Sequence, residues 1–221
     1  MKQSVIIVAG GSGSRMNTEI PKQFLLLNDR PVLFYSLEAF YNYNPDIQIL
    51  LVLPHIHIDF WKSLCKEFDL KIKHKIIEGG NTRFVSVKNG LSAIEDNCFV
   101  AVHDGARPLI TADTIHRLFE KAKKYGNVIP VVDVNESIRE ISIDGNKIAD
   151  RSKFKLVQTP QIFKSEDLHA AYKQEYKIEF TDDASVVETL GIKIHLAKGQ
   201  ANNLKITQPS DLKIAEAFLK L

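Results

Sequence analysis

A short apolar run, Val5-Ile6-Ile7-Val8-Ala9, empties directly into Gly10-Gly11-Ser12-Gly13-Ser14-Arg15-Met16, and Pro21-Lys22-Gln23 follows. An unbroken β-branched run of this length reads as a strand buried on both faces. That requirement restricts the chain to a sheet covered by helices on each side. The glycines after the strand let backbone N–H groups close around phosphate oxygens, and a nearby Arg and Lys neutralise the charge. The chain therefore opens on a candidate polyphosphate cradle. Its backbone comes from Ala9, Gly10, Gly11, Ser12 and Gly13, and its cations are Arg15 and Lys22.

Three kinds of phosphate loop compete for this segment. A Walker A loop needs Gly-Lys-Ser or Gly-Lys-Thr, which is absent after the strand, and Lys22 comes too late. The dinucleotide fingerprint G-x-G-x-x-G would place its third glycine at Met16, where a side chain crowds helix against strand. It also needs an acid at the end of the second strand, but the run Ile47 to Leu53 ends in Pro54-His55. The nucleotidyltransferase loop, G-G-x-G-x-R-M followed by P-K, matches residue for residue.

Further apolar runs at Ile47–Leu53, Ile72–Ile77, Phe99–His103, Val128–Val132 and Ile192–Leu196 alternate with helical periods. Leu33, Leu37, Phe40 and Tyr41 form one such stripe behind Pro31. Phe84, Val87, Leu91 and Ile94 form another, and Ile115, Leu118, Phe119 and Ala122 a third. A last helix opens at Pro209. Strand–helix alternation predicts an α/β fold: a doubly wound, mostly parallel, Rossmann-like sheet with helices on both faces. With 221 residues, 44% of them hydrophobic and 25% charged, the chain reads as one domain spanning 1–221. Only Val134 to Val157 breaks the alternation. Ile141 and Ile143 alternate before the turn signal Asp144-Gly145-Asn146, and Lys147 to Asp150 return as a partner strand. A protruding hairpin this polar has no core of its own, so 134–157 is expected to be a dimerisation arm packing on a second copy.

A net charge of +2 with interspersed signs gives no basic block for nucleic acid. No apolar run approaches the ~18 residues of a membrane span or the ~7–15 of a signal peptide core. Cys65 and Cys98 read as free thiols in a reducing compartment, and the expected location is cytoplasmic. The histidines show no zinc-ligand spacing.

The loop resembles that of the sugar-phosphate nucleotidyltransferases. Glu78-Gly79-Gly80 with Arg83 and Ser86, Val102 to Pro108, Gln158 to Phe163, Thr181 to Ser185 and Asn203 to Thr207 follow in order. Together they narrow the likeness, nearly end to end, to the 2-C-methyl-D-erythritol 4-phosphate cytidylyltransferase family. A ribitol-5-phosphate cytidylyltransferase is the alternative. The resemblance implies that a substrate phosphate attacks the α-phosphorus of CTP and releases pyrophosphate. A phosphate monoester is largely ionised at neutral pH, so this chemistry asks for cations and in-line placement rather than a strong base.

Arg15 and Lys22 are the candidates for stabilising the transition state at the α-phosphate. Gly79, Gly80 and Ser86 are expected to shape the base pocket, alongside a helix cap at Asn81 or Thr82. Mg²⁺ is the expected cofactor, held by carboxylates and phosphates. Asp104 is its candidate ligand, with a substrate-hydroxyl contact or a turn cap as alternatives. By resemblance, Asp104, Arg107, Arg151, Thr181 and Lys205 meet the second substrate, with Arg151 and Lys205 counted among the catalytic groups. Arg151, at the base of the hairpin, would then reach a neighbour's site. Asp182 and Asp183 fit either a ligand role or a helix N-terminal acidic pair.

Overall fold

A computed structural model describes residues 1–11 and 20–220. The first half of the chain forms β1 (Lys2–Val8), β2 (Leu26–Leu27), β3 (Arg30–Pro31), α1 (Val32–Tyr43), β4 (Gln48–Leu53), α2 (Ile58–Glu67) and β5 (Lys75–Glu78). Next come α3 (Arg83–Leu91), β6 (Cys98–Asp104), α4 (Ala112–Tyr125), β7 (Val128–Asp133), β8 (Ile138–Ser142) and β9 (Gly145–Ala149). The chain continues through β10 (Lys155–Val157), β11 (Gln161–Lys164), α5 (Ser165–Ala171), α6 (Asp183–Glu188), β12 (His195–Lys198) and α7 (Pro209–Leu219).

The main sheet runs β10-β7-β11-β6-β1-β4-β5, and β12 also pairs with β7. The β6-β1-β4-β5 half is parallel. Along β1, Val5 and Ile7 enter one apolar cluster with α1, α2 and α4, while Ile6 enters another with α3, α5 and α6. β4 splits the same way: Ile49, Leu51 and Leu53 to one side, Leu50 and Val52 to the other. Strict period-two alternation in strands that are apolar throughout is what a sheet with helices on both faces demands. It bears out the doubly wound reading.

The register positions the site. Val8 lies opposite both Val52 and Asp104, and Leu53 lies opposite Glu78. Four parallel strands thus end nearly flush, and the loops after β1, β5 and β6 leave the same sheet edge, where open α/β folds bind ligands.

Three details depart from the sequence expectations. β11 runs antiparallel between β6 and β7; its short run Gln161-Ile162-Phe163 is too brief to show a period. β5 begins at Lys75 rather than Ile72, because His74 Nδ1 contacts the Ile72 carbonyl at 2.8 Å while Trp61 donates to His74 Nε2 at 2.9 Å. β12 begins at His195 rather than Ile192. The hairpin forms as a separate two-stranded sheet, with Ser142 opposite Gly145 and Ile138 opposite Ala149. Its Ile141, Ile143 and Ile148 are 75%, 100% and 75% exposed. No helix among the described residues is long and apolar enough to cross a membrane.

Candidate active site

Two adjoining cavities open at the flush sheet edge. The first, of ≈ 300 Å³, is lined by Ala9, Gly10, Gly11 and Lys22 from the loop after β1, and by Gly80, Arg83 and Ser86 from the β5–α3 junction. Asp104 and Lys205 close it. Buried Gln23 donates through Nε2 to the Ala9 carbonyl at 2.7 Å, pinning the strand exit. The Lys22 side chain passes Gly11, whose added Cβ would lie 4.0 Å from Lys22 Cε. The remaining loop candidates, Ser12, Gly13 and Arg15, lie outside the described residues.

The β5–α3 junction is built for close approach. Thr82 caps α3 by accepting from the Val85 N–H at 3.1 Å. Ser86 Oγ accepts from the Gly80 N–H at 3.1 Å and donates to the Thr82 carbonyl at 2.9 Å. Glycine is required at position 80 because an added Cβ would sit 2.2 Å from Val85 Cγ1. Ser86 thus holds the glycine loop and also faces the cavity, and Gly79 lies behind it, hydrogen-bonded to the Leu53 carbonyl at 2.8 Å.

The second cavity, of ≈ 290 Å³, is lined by Arg107, Gln158, Thr159, Gln161, Thr181 and Asp182. Arg83, Asp104 and Lys205 line both cavities and form the wall between them. Lys205 Nζ lies 2.9 Å from Asp104 Oδ2, Arg107 Nε 3.6 Å from the same oxygen, and Arg83 Nε 3.5 Å from Oδ1. Burial would raise the Asp104 carboxyl, but Arg83, Lys205 and Arg107 outweigh it and hold it well below the usual carboxylate range. Burial lowers the Arg107 guanidinium despite Asp104. For Arg83, burial opposes the charge and the Asp183 and Asp104 carboxylates overcompensate, raising it.

The neighbours that the structure gives Asp104, expected as a candidate magnesium ligand, are the cations Arg83, Arg107 and Lys205. The three cations around the carboxylate already offset its charge and repel a fourth. No group of three or more His, Cys, Asp or Glu among the described residues is placed to hold a metal. Asp104 is the anion around which the wall's cations gather. Asp182 and Asp183 resolve differently from each other. Asp182 caps α6, accepting from the Ser185 N–H at 2.9 Å. Asp183 is fully buried and takes the fork of Arg83 on both oxygens, at 2.9 and 2.7 Å.

Arg151 lines neither cavity of its own chain. It is exposed at the foot of the hairpin, where its guanidinium donates to the Asn135 carbonyl. Arg83 appeared in the sequence only as a member of the motif Glu78-Gly79-Gly80 with Arg83 and Ser86. Its pairing with Asp183, 100 residues away, leaves no sequence signal.

His103 carries the turn that presents Asp104 and Arg107. The Asp104 N–H donates to Thr159 Oγ1 at 3.0 Å, and Thr159 Oγ1 lies 3.2 Å from His103 Nδ1. The Arg107 carbonyl, 3.3 Å from Nε2, can only accept, so the neutral ring carries its hydrogen on Nε2 and the Thr159 hydroxyl donates to Nδ1. The ring is fully buried, and burial lowers its pKa to about 4 from 6.5. Between those values the unfolded chain takes up a proton that the folded chain does not. The contribution of this ring to stability is therefore present above pH 6.5 and is lost as pH drops towards 4. The urea midpoint is expected to report a loss of about 2 kcal/mol from this ring between about pH 7 and about pH 5. His103→Gln should show a correspondingly shallower slope, and equal slopes would remove His103 from the account.

A cationic wall dividing two cavities at a glycine-lined sheet edge suits an enzyme that joins two phosphate compounds, and the class is that of the nucleotidyltransferases. The family model described as IspD, 2-C-methyl-D-erythritol 4-phosphate cytidylyltransferase, matches residues 3–221. A protein of that name from Bacteroides thetaiotaomicron is 52% identical over 219 residues, covering 99% of this chain and 100% of its own. One from Azobacteroides pseudotrichonymphae is 51% identical over 221 residues, with the same coverage of 99% and 100%. The crystal structure of 2-C-methyl-D-erythritol 4-phosphate cytidylyltransferase from Thermus thermophilus superposes with a TM-score of 0.80 at 31% identity over 100% of both chains. The chain belongs to the 2-C-methyl-D-erythritol 4-phosphate cytidylyltransferase family.

Proposed function

We propose that this enzyme joins CTP and 2-C-methyl-D-erythritol 4-phosphate to give CDP-methylerythritol and pyrophosphate, a step of non-mevalonate isoprenoid biosynthesis in the cytoplasm. The observation that carries the assignment of sites is the shared wall: one cavity with a glycine-loop floor, one with Arg107 and Thr181, and Arg83, Asp104 and Lys205 between them. CTP takes the first cavity, its base against Gly80 and Ser86, which Gly79 backs from outside the lining, and its phosphates along Ala9 to Gly13. The polyol phosphate takes the second, with Arg107, Thr181 and Lys205 on its anion and Asp104 within reach of a hydroxyl.

A phosphate oxygen of the polyol attacks the α-phosphorus, the bond to the β-phosphate oxygen breaks, and pyrophosphate leaves. Arg15, Lys22 and Lys205 offset the charge that accumulates between the reactants. Mg²⁺ enters this reading only as a companion of the triphosphate. The whole chain, 1–221, works as a single nucleotidyltransferase domain with 134–157 as a dimerisation arm, whose β8–β9 hairpin clasps a second copy while β10 ties its end back to β7 in the main sheet. The exposed isoleucines of the hairpin support that arm, and Arg151 then serves the partner's second cavity.

The test offers CTP with each polyol phosphate and follows pyrophosphate. Methylerythritol phosphate is expected to turn over faster than ribitol 5-phosphate, and the reverse order would overturn the substrate assignment.

A further inference from the structure

We propose that Arg83 is a positioning residue, the resident counterion of Asp104, which stays on that carboxylate while Lys205 is handed over to a substrate phosphate. The inference rests on the assignment of the two cavities above. It goes further in separating the wall's cations into one that moves and one that does not.

The separation follows from how each cation is tied. Lys205 Nζ touches Asp104 Oδ2 at 2.9 Å, its side chain is 40% exposed, and it lines both cavities. It is a compact charge on a flexible stem. Arg83 is fixed on three counts. Its backbone starts α3 directly behind the Thr82 cap. Its two Nη atoms grip Asp183 at 2.9 and 2.7 Å. Asp183 is itself held by the Tyr172 hydroxyl, which donates to Oδ1 at 2.6 Å. With both Nη atoms committed, only Nε faces Asp104, and it faces Oδ1, the oxygen that Lys205 does not use. Arg107 stands between the two cases: Nη1 donates to the Asn203 carbonyl at 2.8 Å and Nε lies 3.6 Å from Oδ2.

The Asp104 side chain is only 12% exposed. Removing its last close cation would strand a buried anion, and such a group is strongly disfavoured. An incoming dianionic phosphate draws Lys205 off Oδ2. Arg83 makes that transfer inexpensive because Oδ1 keeps its partner throughout. Without Arg83, Oδ1 loses its cation and Asp104 keeps only Lys205 and the more distant Arg107, both on Oδ2, so the phosphate must compete with Asp104 for Lys205.

The experiment is a double-variant cycle on the full chain, with Arg83→Gln, Asp104→Asn and both together. It is read by calorimetric affinity for methylerythritol phosphate and for inorganic phosphate. Arg83→Gln is expected to weaken phosphate affinity about a hundredfold. Adding Asp104→Asn should recover most of that loss, since no anion then competes for Lys205. Additive losses would overturn the proposal, because a merely structural role for Arg83 is indifferent to the charge on Asp104. Should Arg83→Gln fail to fold, Arg83→Lys keeps a cation without the fork. Its smaller loss should again shrink when Asp104→Asn is present, and an equal loss in both backgrounds is a refutation. The two readings fail separately. A wild-type protein that binds phosphate but releases no pyrophosphate from CTP sinks the assigned reaction, while the binding cycle still decides the role of Arg83.

Discussion

Replacing Lys22 with alanine is expected to lower kcat/KM about 10²–10³-fold, the cost of removing one preorganised charge from a developing anion. The thermal midpoint should move by no more than about 2 °C, as for a half-buried side chain outside the core. Lys22 opens the short 3₁₀ turn after Pro21, and the Phe24 N–H returns to the Pro21 carbonyl at 2.9 Å, so the backbone that aims the side chain is fixed. The stem passes over Gly11 into the first cavity. Alanine keeps the turn and removes the reach and the charge. Lys22→Arg keeps the charge but replaces a compact ammonium with a wider fork, so it should fall between wild type and alanine. Single-turnover and steady-state rates with saturating CTP make the measurement. Unchanged turnover in the alanine variant would take Lys22 out of the chemistry.

Sequence reasoning succeeded where a signal is local and failed where it depends on partners. β1, β4 and β6 were readable because strands covered on both faces must be apolar without interruption. The hairpin was readable because Asp144-Gly145 sits between alternating residues, and Gly145 adopts φ 129°, a conformation that suits glycine. β11 was not readable: in so short a segment, insertion antiparallel between β6 and β7 is decided by the neighbours it meets. The site divides in the same way. Gly10, Gly11, Gly80 and Lys22 stand in contiguous motifs, and the cavity collects them. Asp104 is legible as a site residue, but its cationic neighbours are not, because Arg83, Arg107 and Lys205 reach it from separate parts of the chain. Asp183 at a helix start had a sufficient local explanation in the helix dipole, and that explanation hid its bond to Arg83.

Asp183→Ala is expected to be the most destabilising single change at the site. It strips both acceptors from the Arg83 fork and leaves the Tyr172 hydroxyl without its 2.6 Å partner in a place with no solvent access. Breaking a buried ion pair from one side costs about 3–5 kcal/mol. At roughly 2–4 °C per kcal/mol for a chain of this size, the thermal midpoint should fall by about 6–20 °C. Asp183→Asn keeps the shape and one acceptor, so its loss should be smaller. The informative comparison is the pair Asp183→Ala with Arg83→Met. Removing both partners of a buried pair is often nearly neutral, since no charge is left stranded. The double variant should therefore regain much of the midpoint lost by Asp183→Ala. Its affinity for phosphate should stay low, because Asp104 has lost its resident cation. Recovery of both quantities together would mean that Asp183 and Arg83 serve stability alone. Recovery of stability without affinity separates what the pair does for the fold from what it does for the site.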